Sequence, residues 1–497
     1  MKGARPTLAG LLFRALFWLV VGATPLFAAW LASSLAAYGN GRTWVVASAG
    51  LLLFPALPGA WEAYAEYKWR KSPRRRPRVL TRGDRMIFRT LAVNLLFLGA
   101  LFALWPKTAF VALATRGDWM LDQAHGPRAD TARHGLHSLA RVLEWTYVAL
   151  RDRTHDRPAE TEAPTPTASD DPRPAPVPTL APSASTDIAG TDAPAVPTAS
   201  PPPSTTTPSS TVGTATWPFK AELHPLVTSI PASVETSPQA VGKYIGEHEP
   251  NLLLRLKALH DYAADRIAYD GPSYVRHAYP PQDAATVLQR RVGVCAGYAD
   301  LLVEMGKGAG IKVVYVHGDA RSRSSDVAGE SHAWNAAQID GRWYLLDATW
   351  DAGYLEGETF VKRYSTSYFV APPSVFGVDH FPSDDAWQLR YPKQDRGEFF
   401  RQPMMSPSFY AEGFELIDPN RSQITVQGAL DITLKNPRHR HLLHEAQGAT
   451  CTPSAGDVFR LHCAFARPGT YTVKLFSNDK PSGSFGYIGQ VEVNNRP

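Results

Sequence analysis

A thiol, an imidazole and a carboxylate follow one another along this chain. Cys295 lies in Gly293-Val294-Cys295-Ala296-Gly297-Tyr298-Ala299-Asp300-Leu301, His332 in His332-Ala333-Trp334-Asn335, and Asp347 in Trp343-Tyr344-Leu345-Leu346-Asp347-Ala348-Thr349-Trp350. These are the minimum set for nucleophilic thiolate chemistry, in which sulfur attacks, imidazole moves the proton and carboxylate orients the ring. A zinc site built from the same three residues has no second cysteine or His-x-x-x-His spacing behind it, so neither metal nor cofactor is expected. Gly306-Lys307-Gly308-Ala309-Gly310 imitates a phosphate loop, but no Lys-[Ser/Thr] pair closes it and no strand precedes it.

The elements that must position these groups are legible. After a turn at Gly293, residues 295–306 show helical spacing through Ala299, Leu302, Val303 and Met305. Cys295 therefore opens a helix, where the macrodipole and unpaired backbone N–H groups favour an anion. Strand-like runs follow at 312–318, 332–339 and 343–348, the last two flanking Asp340-Gly341, a strong hairpin signal. A two-residue turn there sets Ile339 opposite Arg342. His332 then falls diagonal to Asp347 on one face of the hairpin, within hydrogen-bonding reach. Upstream, residues 251–265 and 283–290 read as helices and 267–270 as a short strand. The backbone N–H of Cys295 is one oxyanion donor by position, and Gln282 or Tyr269 are side-chain candidates for a second. Asp351 reads as a loop cap, and Trp334, Trp343, Tyr344 and Trp350 as core and cleft wall.

A chain of 497 residues exceeds one core. Its net charge of +5 assigns no partner, but the distribution is informative. Lys68, Arg70, Lys71, Arg74, Arg75, Arg76, Arg78, Arg82 and Arg85 lie between apolar runs, where they read as a membrane flank and not as a nucleic-acid surface. Three apolar runs, 8–35, 44–64 and 86–105, each reach the roughly 20 residues that cross a bilayer. The basic cluster, with Lys2 and Arg5, places the N-terminus in the cytoplasm and everything after about 107 outside. A rival reading makes 1–37 a cleaved signal peptide and leaves the same exterior C-terminus.

The expected organisation is a three-span region (1–115), a juxtamembrane amphipathic helix (116–153), a Pro/Thr/Ser-rich spacer (154–217), an α+β catalytic domain (218–395) and a β-sandwich (396–497). The helix carries a stripe of Leu136, Leu139, Leu143, Tyr147 and Leu150. It lies on the membrane, pairs with another copy, or packs against the spans. The spacer cannot build a core and is expected to hold the head away from the bilayer. Beyond 399, short β-runs at 422–426, 430–434, 458–465, 470–476 and 487–493 suggest an immunoglobulin-like sandwich. Cys451 and Cys463 face each other across a connection near Gly456-Asp457, and an oxidising exterior makes them a disulfide that leaves Cys295 the single free thiol of the 3 cysteines.

The motifs around Cys295, His332 and Asp347-Ala348-Thr349-Trp350-Asp351, continued by Tyr368-Phe369, His380-Phe381-Pro382 and Trp387-Gln388-Leu389, resemble the transglutaminase-like superfamily, in the branch related to kyphoscoliosis peptidase. The resemblance covers roughly 229–390. It implies a papain-like α+β fold with a β-domain behind it, and it assigns attack on an acyl carbon to Cys295, proton transfer to His332 and ring orientation to Asp347. The function so implied is that of a membrane-anchored, extracytoplasmic cysteine enzyme, multi-pass in the cell (cytoplasmic) membrane, acting on an amide of a protein or peptide through a thioester. Water as acceptor makes it a peptidase or amidase, and an amine makes it a transglutaminase; the branch favours hydrolysis. The competing function is a non-catalytic binding or scaffolding module of the envelope built on the same fold.

Overall fold

The computed structural model describes residues 8–72, 78–122, 124, 126–151, 153–156, 217–322, 329–454 and 458–496, with side chains from residue 15 onward. Lys2 and Arg5, Arg74 to Arg76 of the basic cluster, nearly all of the spacer and most of the loop before Ser331 lie outside the described residues. Among the described residues, three helices are long and apolar enough to cross a membrane: Ala15–Tyr38, Thr43–Lys71 and Arg82–Leu104, with mean hydropathies of 1.9, 1.5 and 2.0. The second passes through a π-helical turn at Leu52–Ala56 around Pro55, which cannot donate to the helical ladder. Glu62 is buried within it and paired with Arg85 at 2.8 Å and with Arg89, so its charge is compensated.

Pro106–Arg116 forms a separate helix inside the expected three-span region, and the one juxtamembrane helix expected over 116–153 is divided into Pro127–Ala140 and Glu144–Leu150. The first is continuous in hydropathy with the preceding span, and Pro106 at its first turn is what starts it afresh. Residues 109 to 116 are buried. Phe110 and Tyr147 close on Phe381, Phe399 and Phe400 of the globular part in one cluster, the Tyr147 and Phe400 rings lying 5.4 Å apart. Arg421 pairs with Asp118 at 2.5 Å, and Arg401 donates to the Ala114 carbonyl at 2.7 Å. The head thus rests on these helices and is not held off by its spacer. Three phenylalanines that would otherwise face water supply the reason.

The α+β domain packs the helix Cys295–Ala309 on a five-stranded antiparallel sheet in the order Phe369–Ala371, Arg342–Leu346, Glu330–Ile339, Lys312–Ala320, His380–Pro382. Asp340 and Gly341 have φ of 49° and 78°, the left-handed pair a two-residue hairpin turn requires. Ile339 duly faces Arg342 and Asn335 faces Leu346. The strand stops at Leu346 because Asp347 caps the helix Ala348–Ala352, accepting the Thr349 N–H at 2.8 Å. Behind, the helix Pro238–His248 crosses Cys295–Ala309 so closely that a Cβ on Gly242 or Gly308 would meet the Met305 or Gln239 carbonyl.

The C-terminal part consists of two four-stranded sheets. One runs Glu415–Asp418, Ala429–Lys435, Val458–Phe465, Ala449–Ser454, and the other Ile424–Val426, Gly486–Asn495, Gly469–Asn478, His441–Ala446. They enclose Ile432, Leu434, Leu461, Leu475 and Ile488, all fully buried. Three of these strands, Glu415–Asp418, His441–Ala446 and Ala449–Ser454, were absent from the expected set. They are edge strands with much of their surface exposed, so their hydrophobic alternation is weak. Cys451 and Cys463 sit directly opposite each other on adjacent strands and are disulfide-bonded.

Candidate active site

Cys295 is the first residue of its helix, where the leading N–H groups have no intrahelical acceptor. Three contacts fix that end of the helix. The Val294 N–H donates to Gln282 Oε1 at 2.8 Å, Tyr298 Oη donates to the Ile267 carbonyl at 2.7 Å, and the buried Asn335 amide donates to the carbonyls of Ala299 and Val314 at 3.0 and 3.1 Å. Asn335 thereby ties the helix to the strand that carries His332. Cys295 is 1% exposed and is the free thiol among the described residues.

His332 Nε2 lies 2.9 Å from Asp347 Oδ2, which leaves Nδ1 for the sulfur, and the Cys295 side chain is among the groups that act on the ring. The three expected residues are thus brought together in the expected order. Burial works against the charged imidazole, but the charges of Asp347 and Cys295 and hydrogen bonds to them outweigh it and raise the His332 pKa. Burial likewise opposes the Asp347 carboxylate, yet the His332 charge and hydrogen bonds from His332 and His380 hold its pKa well below the usual carboxylate range. Asp347 is therefore an acceptor only. One oxygen faces the two imidazoles, and the other takes backbone N–H groups of its own helix.

His380 was quoted in the sequence only as part of a motif, and its place is at this centre. Its Nε2 lies 3.3 Å from Asp347 Oδ2 and its Nδ1 2.6 Å from Asp379 Oδ1, while Tyr368 donates to Asp379 Oδ2 at 2.6 Å. Burial disfavours its charge, but Asp379, then Asp347, raise its pKa to about 9. The result is a buried line Asp379–His380–Asp347–His332–Cys295 in which acids and bases alternate. Trp350 and Phe376 pack on the His380 ring at 4.5 and 4.2 Å, and Trp334 and Trp350 flank His332 at 6.0 and 5.4 Å, as wall residues should. The ligand atoms of His332, Asp347 and His380 all lie within 4.8 Å of one another, a donor set able to hold a metal ion. Both Nε2 atoms already meet the same carboxylate oxygen, so a cation would have to displace two protons from satisfied hydrogen bonds.

The two side-chain oxyanion candidates are placed differently. Gln282 Nε2 donates to the Pro280 carbonyl at 3.0 Å while its oxygen holds Val294, so its observed task is to shape the turn before Cys295. Tyr269 pairs in parallel with Gly293. Burial first, and then the Cys295 charge, push its pKa well up, so its hydroxyl stays protonated and able to donate. Asp351, expected as a loop cap, is a fully buried hub that accepts the Tyr368 N–H at 3.0 Å and pairs with His260 at 3.1 Å. His260 also meets Asp261 at 3.1 Å, and its pKa is raised to about 9, burial being outweighed by its two acidic partners.

Residues 239–348 match the family described as the transglutaminase-like superfamily. Kyphoscoliosis peptidase of Mus musculus is 33% identical over 195 residues, covering 37% of this chain and 29% of that protein; the Homo sapiens protein of the same name is 32% identical over the same span. This chain therefore spans less than a third of the length of those relatives. A solved structure titled "Crystal structure of a TGase" is 19% identical over 27% of this chain and 36% of its own, at a TM-score of 0.20. Residue identity and the family match together place a transglutaminase-like domain in this chain, in a branch resembling kyphoscoliosis peptidase.

Proposed function

We propose that this chain is a membrane-anchored cysteine enzyme that acts on an amide-linked acyl group of a protein or peptide outside the cytoplasm. The observation that carries this reading is His332 held at 2.9 Å by Asp347 and acted on by Cys295, the first residue of a helix. The Cys295 proton passes to His332 Nδ1 as sulfur bonds to the carbonyl carbon, and the carbonyl electron pair moves onto oxygen. That oxyanion faces the Cys295 backbone N–H and the Tyr269 hydroxyl. On collapse the C–N bond breaks, His332 gives its proton to the leaving amine, and a thioester remains on Cys295. Water then attacks with His332 as base, sulfur leaves and takes back the proton; an amine in place of water gives transamidation. Relatives named as peptidases favour water.

Placement outside the cytoplasm is supported by the ends of the spans. The head contacts the end carrying Tyr38, Gly41 and Pro106, through Arg496 to the Gly41 carbonyl and through the Phe110 cluster, whereas Lys68, Arg70, Lys71 and Arg82 lie at the opposite end. For the C-terminal part, lettering the eight strands A, A′, B to G in chain order gives sheets A-B-E-D and A′-G-F-C, which supports the immunoglobulin-like reading.

The test is turnover by the full chain in detergent on a broad peptide mixture, with acid quench and intact-mass detection of an acyl adduct on Cys295. Adduct and new amine termini that disappear in Cys295→Ser are expected. Absence of both in the native sequence would overturn the enzyme reading.

A further inference from the structure

Two elements approach the turn that presents Cys295. One is the helix Gly271–Arg276 with Tyr279 beyond it; the other is the strand pair Lys312–Ala320 and Glu330–Ile339 that carries His332. Tyr274 and Glu330 hydrogen-bond directly from one to the other. Tyr269 pairs with Gly293, two residues before Cys295, and its ring meets that of Tyr274 at 5.9 Å, so this crossing stands beside the turn that presents Cys295.

His155, from the stub that leads from the helix Glu144–Leu150 toward the spacer, is seated between the same two elements. Its ring meets that of Tyr279 edge to face at 5.5 Å. Its carbonyl accepts from Tyr315 Oη at 2.9 Å, and its N–H points at Ser331 Oγ at 3.4 Å. The neighbouring Asp156 is anchored to Arg151 at 2.5 Å and His317 at 3.4 Å. His155 is only 7% exposed, although the sequence that follows it is rich in Pro, Ser and Thr. Ser331 precedes His332 on one strand, the two side chains leaving opposite faces, so the stub reaches the end of the strand that carries the base.

A residue gripped by its own N–H and C=O, with a ring against an aromatic wall, is held as a bound peptide residue is held. Main-chain hydrogen bonds supply affinity and the pocket for the side chain supplies preference. We propose that Ser331, Tyr315 and Tyr279 form a peptide subsite beside Cys295 that takes an extended polypeptide segment with a flat ring side chain, and that His155 occupies it as an internal pseudosubstrate. This rests on Cys295 being the nucleophile. It adds a substrate preference, and a regulation in which the stub competes with substrate for the site and slows turnover of the native chain without abolishing it.

The test is the rate of Cys295 alkylation by iodoacetamide in the full chain in detergent. His155→Gly, which removes the ring seated on Tyr279 and keeps the main-chain groups, should label faster by about fivefold, the worth of one edge-to-face ring contact. A synthetic peptide spanning residues 151–157 should restore protection, and the same peptide with serine in place of the histidine should not. Tyr315→Phe, which keeps the ring, should also label faster, and the peptide should protect it less. Wild-type rates in both variants, or acceleration that the peptide does not reverse in His155→Gly, overturn the proposal. The two readings separate in the His332→Ala background. The enzyme reading requires slower labelling there, while the ratio of His155→Gly to its parent reports the stub alone and persists whatever His332→Ala does.

Discussion

Replacing His380 with leucine is the sharpest structural perturbation of the buried line. The imidazole stands between Asp379 at 2.6 Å and Asp347 at 3.3 Å, and leucine fills much of its volume while leaving each carboxylate short of a partner. Breaking a buried ion pair in this way costs about 3–5 kcal/mol. The pH dependence identifies the cause. His380 has a folded pKa of about 9, above its ordinary value of about 6.5. Its contribution is therefore complete below about pH 6.5 and is lost as pH rises through about 9, on the order of 3 kcal/mol in all. His260 titrates over the same window but is present in both proteins, so it cancels in the difference. Urea unfolding of the full chain in detergent, followed by tryptophan fluorescence, reads this directly because Trp350 and Trp334 lie 4.5 and 5.1 Å from the His380 ring. The gap between wild type and His380→Leu should be wide at pH 6 and narrow by pH 10. A gap that stays constant across that range would refute the reasoning.

Three further outcomes follow from the same geometry. Asp347→Asn keeps the size but presents an amide to His332 Nε2 and disturbs the tautomer, so kcat should fall about a thousandfold or more with little change in KM, as steady-state kinetics on the identified peptide will show. Tyr269→Phe removes the hydroxyl proposed for the oxyanion, and a kcat loss of about a hundredfold at constant KM is expected; unchanged kcat would send that role elsewhere. In Gly297→Ala the new Cβ would stand 2.6 Å from Gln282 Oε1 and 2.7 Å from Val287 Cγ2. Displacing Gln282 from Val294 should cost about 1–3 kcal/mol in urea unfolding and shift the turn that presents Cys295.

The parts of this molecule legible in sequence are those fixed by local rules. Asp340-Gly341 dictated the hairpin register, and with it the approach of His332 to Asp347, because a two-residue turn admits one alignment. Glycine before Cys295 and apolar spacing after it located the helix start. What escaped depended on contacts distant in sequence. His380 comes from an edge strand 33 residues beyond Asp347, and no periodicity announces that its ring turns inward. The buried Asp351–His260 pair joins elements far apart in the chain, so Asp351 alone looked like a cap. The helix Pro106–Arg116 was hidden because burial against protein and burial in lipid select the same residues. The stand-off expected of the spacer failed for a related reason: Phe381, Phe399 and Phe400 carry no local sign that a juxtamembrane helix covers them.

The central claim is that His332 activates the Cys295 sulfur, and iodoacetamide alkylation against pH, followed by peptide mass mapping of Cys295, tests it most directly. His332→Ala should slow labelling by about an order of magnitude or more near neutral pH and shift the whole profile toward higher pH, while Cys295 stays as buried as before. Superimposable profiles for the two proteins would contradict it.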